Sequence, residues 1–312
     1  MDQPTFNLNI VSPQFPCGAA WLANALIELG VPLWELWGFD TRSEWALQED
    51  GRYRYVAEHG PWQQTLASLQ TGRLQVFDLS LQPRFSHGFP WQCDLSQRTV
   101  FIVRDPRDAL YSEWQRQVRN RQIEAGTPFE VFLKMPFFGG PVSHIDLLWL
   151  HLRSWLAWCQ QHPNRFKRLR FEDWKSEPQT QLAEACRWMG LEPEPLELAR
   201  AVAASEVNRL QKVEARLLRD DPGARQFNRR GLRYEWRSAW QTDWFKAFGP
   251  HWTALFDALD YEPNPVAGQW PLCFDADDVL AWRGLDSEAE RRRWSDHLFS
   301  EPLHRSSPAV SS

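Results

Sequence analysis

No stretch of this 312-residue chain approaches the roughly 18 uncharged apolar side chains that a membrane span needs. The opening residues, Met1-Asp2-Gln3-Pro4, carry neither a basic start nor a long apolar run, so no secretory signal is expected. Basic side chains are not in excess. Against 40 Asp and Glu stand 35 Lys and Arg, a formal charge of −5, which excludes a generic nucleic-acid binder, whose domain is strongly basic. The five cysteines (Cys17, Cys93, Cys159, Cys186, Cys273) are scattered, odd in number and never spaced as CxxC. That pattern predicts a reduced, cytoplasmic protein without a metal site. No internal repeat is present. The Gly-x-x-x-x-Gly-Lys-Ser/Thr loop is also missing, and with it the Lys and hydroxyl that meet β/γ-phosphates and Mg²⁺ in kinases and NTPases.

What is present is ordinary globular material, 43% apolar and 24% charged. A length prior of about 150 residues per domain gives roughly two domains, or one large α/β domain. Tryptophan is abundant, with 19 residues. Several, such as Trp149, Trp155 and Trp158, recur with Leu at helical spacing and read as core. Trp34, Trp37, Trp62, Trp91 and Trp149 also suit the wall of an apolar pocket, although core or interface is the commoner use of such residues.

Along the chain, Phe6, Leu8 and Ile10 alternate with polar neighbours, which predicts a strand over 5–12. A loop carrying Pro16, Cys17 and Gly18 follows. Trp21, Leu22, Ala25, Leu26 and Leu29 then predict a helix that Gly30 stops. Residues 73–79 read as a strand and 85–90 as a Pro-rich loop. Residues 98–103 (RTVFIV) are apolar on both faces, as parallel strands are. Pro106 suits the first turn of the helix beyond them. A long helix is expected over 142–161, a strand over 165–171, a helix over 178–189 and a charged helix over Ser287–His297. Alternating strands and helices predict an α/β fold with a central parallel sheet. The expected division is one domain over 1–265 and a partly helical extension over 266–312 with a disordered end. Loops around 34–65 and 115–145 are expected on the acceptor side as lids.

Four segments bear on chemistry. The strand–loop–helix over 7–29 is either a plain tight turn or a phosphate cradle at a helix N-terminus. Arg104 lies at the carboxyl end of a strand, where open α/β sheets bind ligands, and Ser112 follows two helical turns on. Together they are an anion site, or a solvated Arg beside a helix-capping Asp105. The basic segment Phe227-Asn228-Arg229-Arg230-Gly231 is either a solvated loop or a closure over an anion. His87 matters only if its loop faces the same crevice.

Taken in order, these segments resemble the PAPS-dependent sulfotransferase family. Pro16-Cys17-Gly18-Ala19-Ala20-Trp21-Leu22 stands where that family carries its 5′-phosphosulfate loop, Pro-Lys-Ser-Gly-Thr-Thr-Trp-Leu. Ile102 to Ser112 is similar to its 3′-phosphate motif, with the Arg-to-Ser spacing intact. Leu169-Arg170-Phe171-Glu172-Asp173-Trp174 resembles Leu-Arg-Tyr-Glu-Asp-Leu. Phe227 to Gly231 resembles Phe-x-Arg-Lys-Gly. Ser86-His87-Gly88-Phe89-Pro90 occupies the place of the catalytic His. The resemblance implies a P-loop-like sulfotransferase fold that moves a sulfuryl group from PAPS to a hydroxyl or amine of a small molecule and leaves PAP; the tryptophans, not the resemblance, point to an apolar or aromatic acceptor. It implies His87 as general base. Arg104, Ser112, Arg229, Arg230 and Gly231 would hold the 3′-phosphate, Cys17, Gly18, Ala19 and Ala20 the 5′-phosphate, and Trp21, Phe171 and Phe227 the adenine. No metal is implied. The 5′ loop departs from the pattern: Pro16 replaces the usual Lys or Arg, Cys17 the Ser, and Ala19 and Ala20 the two Thr. Three readings stay open: another cation, such as Arg84, substitutes; the enzyme is slow or uses a reactive acceptor; or the protein binds nucleotide or a partner without turnover.

Overall fold

The run RTVFIV becomes the central strand β7, Arg98–Val103, in a computed structural model that describes residues 6–31, 34–35, 45–47, 53–55, 76–77, 81–220, 230–300 and 303. Its residues 99–103 are all buried, because both faces of the sheet are covered. The other strands of this sheet are β1 (Leu8–Val11), β2 (Trp34–Glu35), β6 (Pro83–Ser86) and β8 (Phe166–Arg170). Their order is β2-β6-β1-β7-β8 and every pairing is parallel. Three short strands, β3 (Trp45–Leu47), β4 (Tyr53–Tyr55) and β5 (Val76–Phe77), form a separate antiparallel sheet. The expected strand over 73–79 is thus described only at β5. Strand β6 is a correction. It begins two residues before the segment read as a Pro-rich loop, and Pro83 is tolerated as its first residue because a strand start has no preceding ladder bond to lose.

Helix α1 (Ala19–Glu28) follows β1, and α2 (Pro106–Arg119) follows β7. Asp105 caps α2 by accepting from the Arg107 N–H at 3.0 Å, and Pro106 takes the first turn. The capping role of Asp105 therefore does not compete with a role for the adjacent Arg104. Helix α3 (Phe129–Lys134) leads to α4 (His144–Gln161), which is buried along nearly its whole length and whose Trp155 is fully enclosed. Beyond β8 come α5 (Phe171–Ser176), α6 (Pro178–Met189), α7 (Pro195–Ala204) and α8 (Val207–Asp220). The short α9 (Trp236–Ala239) and α10 (His251–Ala258) precede α11 (Ala276–Trp282) and α12 (Glu288–Ser300).

Two expectations about the acceptor side change. Residues 115–145 are not an open loop. They hold the last turn of α2 and all of α3, with Phe129, Phe132, Leu133 and Phe137 buried in the common core. Trp149 and Trp91 take the commoner role, packing between elements. Trp149 stacks on Phe299 at 5.8 Å, and Trp91 packs between Phe89 and Trp294, so both seal the C-terminal helices onto the body. Trp37, Trp62 and the side chain of Trp34 lie outside the described residues.

Candidate functional site

Parallel strands all end at the same edge of a sheet, and the residues just beyond those ends face one crevice. Here β1 runs into the loop of Phe15, Pro16, Cys17 and Gly18, β6 into His87, β7 into Arg104 and β8 into Phe171. All of these line a single cleft. Helix α1 adds Ala19 and Trp21, α2 adds Ser112, Arg116 and Arg119, and α5 adds Lys175. Val207, Leu210 and Gly231 close the remaining side.

Gly18 has φ +88°, a left-handed conformation that suits glycine, and a Cβ there would lie 2.5 Å from the Phe171 ring. The N-terminus of α1 has no side-chain cap, and Gly18 and Ala19 at that end line the cleft. Ala20 belongs to this first turn, and its side chain lies outside the described set. Trp21 meets Trp174 edge-on, with centroids 4.0 Å apart.

Arg104 is 5% exposed. Its Nη1 donates to the Pro16 carbonyl at 3.0 Å and to Ser112 Oγ at 2.9 Å, and its Nη2 donates to the Leu232 carbonyl at 2.8 Å. Its Nε is buried with no partner among the described residues. The guanidinium lies 4.5 Å over the Phe171 ring. A buried donor of this kind is costly unless something accepts from it, and an anion in the cleft would do so. One residue on, the Asp105 N–H donates to Glu172 Oε1 at 3.0 Å and the Tyr261 hydroxyl to Glu172 Oε2 at 2.9 Å. Glu172 thereby ties the end of β8 to the start of α2.

His87 Nδ1 lies 3.1 Å from the Ser12 carbonyl. A carbonyl only accepts, so Nδ1 carries the proton and Nε2 is left with a lone pair. Burial lowers the ring to about 4, with the nearby Arg116 charge adding to the effect, so the imidazole is neutral at pH 7. Its loop is held from behind: His151 Nε2 and Trp155 Nε1 both reach the Gly88 carbonyl, at 3.0 and 2.9 Å, and Ser86 Oγ accepts the Gly88 N–H at 2.7 Å. Burial pushes the Cys17 thiol up to about 12, so it stays protonated and is no nucleophile.

Among the described residues four cationic side chains line the cleft (Arg104, Arg116, Arg119 and Lys175) and no carboxylate does, although Asp108 lies 3.6 Å from Arg104 and Glu113 pairs with Arg116 behind the wall. Lys175 is lowered, first by burial and then by the charges of Arg233 and Arg104. The arrangement is complementary to a polyanion despite the acidic chain as a whole.

Not every expected residue comes to the cleft. Arg230 is 67% exposed, lies 3.7 Å from Glu235 and does not line it. Arg84 is no substitute for the missing loop cation. It sits on β6 with its guanidinium over the Phe6 ring, out of phase with the cleft-lining Phe85 and His87. Phe227 and Arg229 lie outside the described residues. Sequence reading missed Arg116, Arg119 and Lys175. The signal was available: Ser112, Arg116 and Arg119 recur at i, i+4 and i+7 on one face of α2, and Lys175 follows Phe171 by four.

A sulfotransferase-domain family model matches residues 43–251. The chain belongs to the sulfotransferase family. The match begins after the 5′ loop, which is the segment where this member departs from the pattern. No curated protein matches the sequence. Among solved structures it is similar to mouse sulfotransferase SULT7A1 complexed with PAP, at TM-score 0.55 and 15% identity over 83% of this chain and 86% of that one. Retinol dehydratase in a complex with retinol and PAP is similar at TM-score 0.53 and 15% identity, over 83% and 84%. The same enzyme with androsterone and PAP gives TM-score 0.50 and 15% identity, over 77% and 78%. At such identity these likenesses concern the fold, a sulfotransferase fold of P-loop-like type. Among the described residues no helix is long and apolar enough to cross a membrane, and no group of three or more metal-ligating side chains occurs.

Proposed function

We propose that this sulfotransferase-family protein transfers a sulfuryl group from PAPS to a hydroxyl or amine of a small molecule, in the cytoplasm and without a metal. The reading rests on one observation above the others: Arg104 is buried beside Ser112 with an Nε unpartnered among the described residues, in a cleft whose described charged lining is cationic. Arg104, Ser112 and the Gly231 backbone would take the 3′-phosphate, with Arg229 and Arg230 assigned there by family resemblance. Arg230 must leave Glu235 to join them. Backbone N–H groups at Gly18, Ala19 and Ala20 would meet the 5′-phosphate. Trp21, Phe171 and Phe227 would hold the adenine.

The chemistry is an in-line displacement. The bond between sulfur and the bridging oxygen breaks, and its electron pair stays on the 5′-phosphate, giving PAP. The acceptor oxygen or nitrogen bonds to sulfur, and its proton passes to His87 Nε2. The Ser12 carbonyl keeps that nitrogen in the accepting tautomer. Phe15 and Phe85 line the cleft with His87, which favours an apolar acceptor. Retinol dehydratase, held with retinol and with androsterone, is consistent with that class.

Calorimetric titration of PAP into the wild type and Arg104→Ala tests the donor site. Binding that the variant loses is the expected result, and a wild type that binds no PAP would refute it. Turnover of labelled PAPS that disappears in His87→Ala would then separate an enzyme from a nucleotide-binding relative, which the cation-free 5′ loop otherwise favours.

A further inference from the structure

Sulfuryl transfer places negative charge on the oxygens around sulfur and on the departing phosphate oxygen. A preorganised donor aimed at that charge is worth roughly 10²–10³ in rate. The 5′ loop lines the cleft with Pro16, Cys17, Gly18 and Ala19, none of them cationic. Arg104 is committed elsewhere, to Pro16, Ser112 and Leu232 and to the buried Asp108 carboxylate 3.6 Å away. Lys175 lies by Gly231, its Nζ 3.7 Å from where a Cβ would stand.

The geometry points to Arg116 as the cation that the 5′ loop lacks, carried instead by helix α2 and aimed at the sulfuryl group of the donor. This rests on the PAPS reading above. Arg116 lines the same cleft as Cys17 and His87, one turn beyond Ser112 on the same helix face. The field of its charge reaches both the Cys17 thiol and the His87 ring, in keeping with a place in the cleft that the loop and the base share.

The side chain is also held in place. Arg116 Nη2 lies 2.5 Å from Glu113 Oε2, and Glu113 is only 1% exposed. Glu113 Oε1 accepts from Gln117 Nε2 at 2.8 Å. The other N–H of that amide faces His144 Nε2 at 3.1 Å, and His144 Nδ1 donates to the Met135 carbonyl at 2.9 Å. The Gln117 amide and the His144 ring behind Glu113 each meet a partner, which holds the carboxylate that pairs with Arg116 in place before the donor arrives. A chain of buried groups behind one half-exposed Arg is what a positioned cation requires and what a solvated surface Arg lacks.

The test uses PAP and PAPS, which differ only in the sulfuryl group, in calorimetric titrations of the wild type, Arg116→Ala, Arg116→Lys and Glu113→Gln. Arg116→Ala should weaken PAPS about tenfold or more, equivalent to about 1.4 kcal/mol, while PAP stays within about threefold of wild type. Arg116→Lys should recover part of the loss, and Glu113→Gln should show a smaller loss of the same kind. Retained PAP affinity reports that the variants are folded. Unchanged PAPS binding in Arg116→Ala, or equal loss of PAP and PAPS, would overturn the assignment. A wild type that binds neither ligand would overturn the donor reading itself, a distinct result.

Discussion

Acidification from pH 7 to pH 5 should destabilise the fold by about 2 kcal/mol through His151 alone. His151 is 3% exposed on α4. Its Nε2 donates to the Gly88 carbonyl, and its Nδ1 is buried without a partner among the described residues. Burial lowers the ring from 6.5 to about 3, and the neighbouring His87 adds to the shift. The sign follows from proton counts. Below pH 6.5 the unfolded chain binds a proton that the folded one refuses, so stability falls as pH falls. The loss begins at the unfolded value and would level off only below the folded one. At pH 5 the gap to 6.5 is about 1.5 pH units, and at about 1.4 kcal/mol each this gives the 2 kcal/mol. The figure depends on the unfolded value, so a folded value of 4 instead of 3 changes it little. His87, lowered to about 4, adds a contribution of the same sign. Asp108 and Glu172, raised by burial, oppose it at the acid end. The decisive comparison is therefore between the wild type and His151→Gln, which keeps a donor for Gly88 but does not titrate. Urea unfolding at pH 7, 6 and 5 should show the wild type losing about 2 kcal/mol more than the variant over that range. Parallel losses in the two proteins would refute the buried neutral imidazole.

The same tautomer argument makes activity insensitive to mild acid. Because His87 is neutral down to about 4, kcat/KM should be flat from about pH 7.5 to about 5.5, and a limb near 6.5 would count against it as the base. Arg107→Ala should cost about 3–5 kcal/mol in denaturant unfolding. Arg107 is fully buried and bonds Asp105 through Nε at 2.8 Å and Nη2 at 2.7 Å, so its loss strands a buried carboxylate. Gly18→Ala should destabilise by about 1–3 kcal/mol, from left-handed backbone and the 2.5 Å approach to Phe171, and should weaken PAP; normal PAP affinity would show that the loop tolerates a Cβ.

How much of this was legible depended on whether the determinant was local. The strand at 98–103, the capping at Asp105-Pro106 and the long helix ending before His162 are written in short stretches of apolar pattern and turn chemistry, and the structure places them within a residue or two. Strand β6 was hidden because the segment Phe85 to Pro90 reads as a Pro-rich loop, while its strand character comes from pairing with β1 and β2 on either side. That information lies some 75 residues away in sequence, as Ile10↔Phe85 shows. The support of the His87 loop was equally non-local: His151 and Trp155 read as an ordinary buried helix face, and nothing in that pattern says that both reach Gly88.

The charge balance is the sharper lesson about function. A chain of formal charge −5 excludes a broad basic surface, yet among the described residues the cleft it builds is lined by four cations and no carboxylate. Whole-chain charge averages over a surface, whereas an anion site is decided by a few side chains that one sheet edge brings together. The 5′ loop makes the same point in reverse. Read as a string, the replacement of a cation by Pro16 removes the charge from the site. Read in space, the site needs a cation within reach of the sulfuryl group, and the chain segment that supplies it is immaterial. Helix α2 already enters the cleft through Ser112, and one further turn brings Arg116 into the same cleft, which is why we propose it for the role the loop has lost. Loss of a motif residue therefore argues for loss of chemistry only after the other elements facing the same crevice have been searched for its replacement.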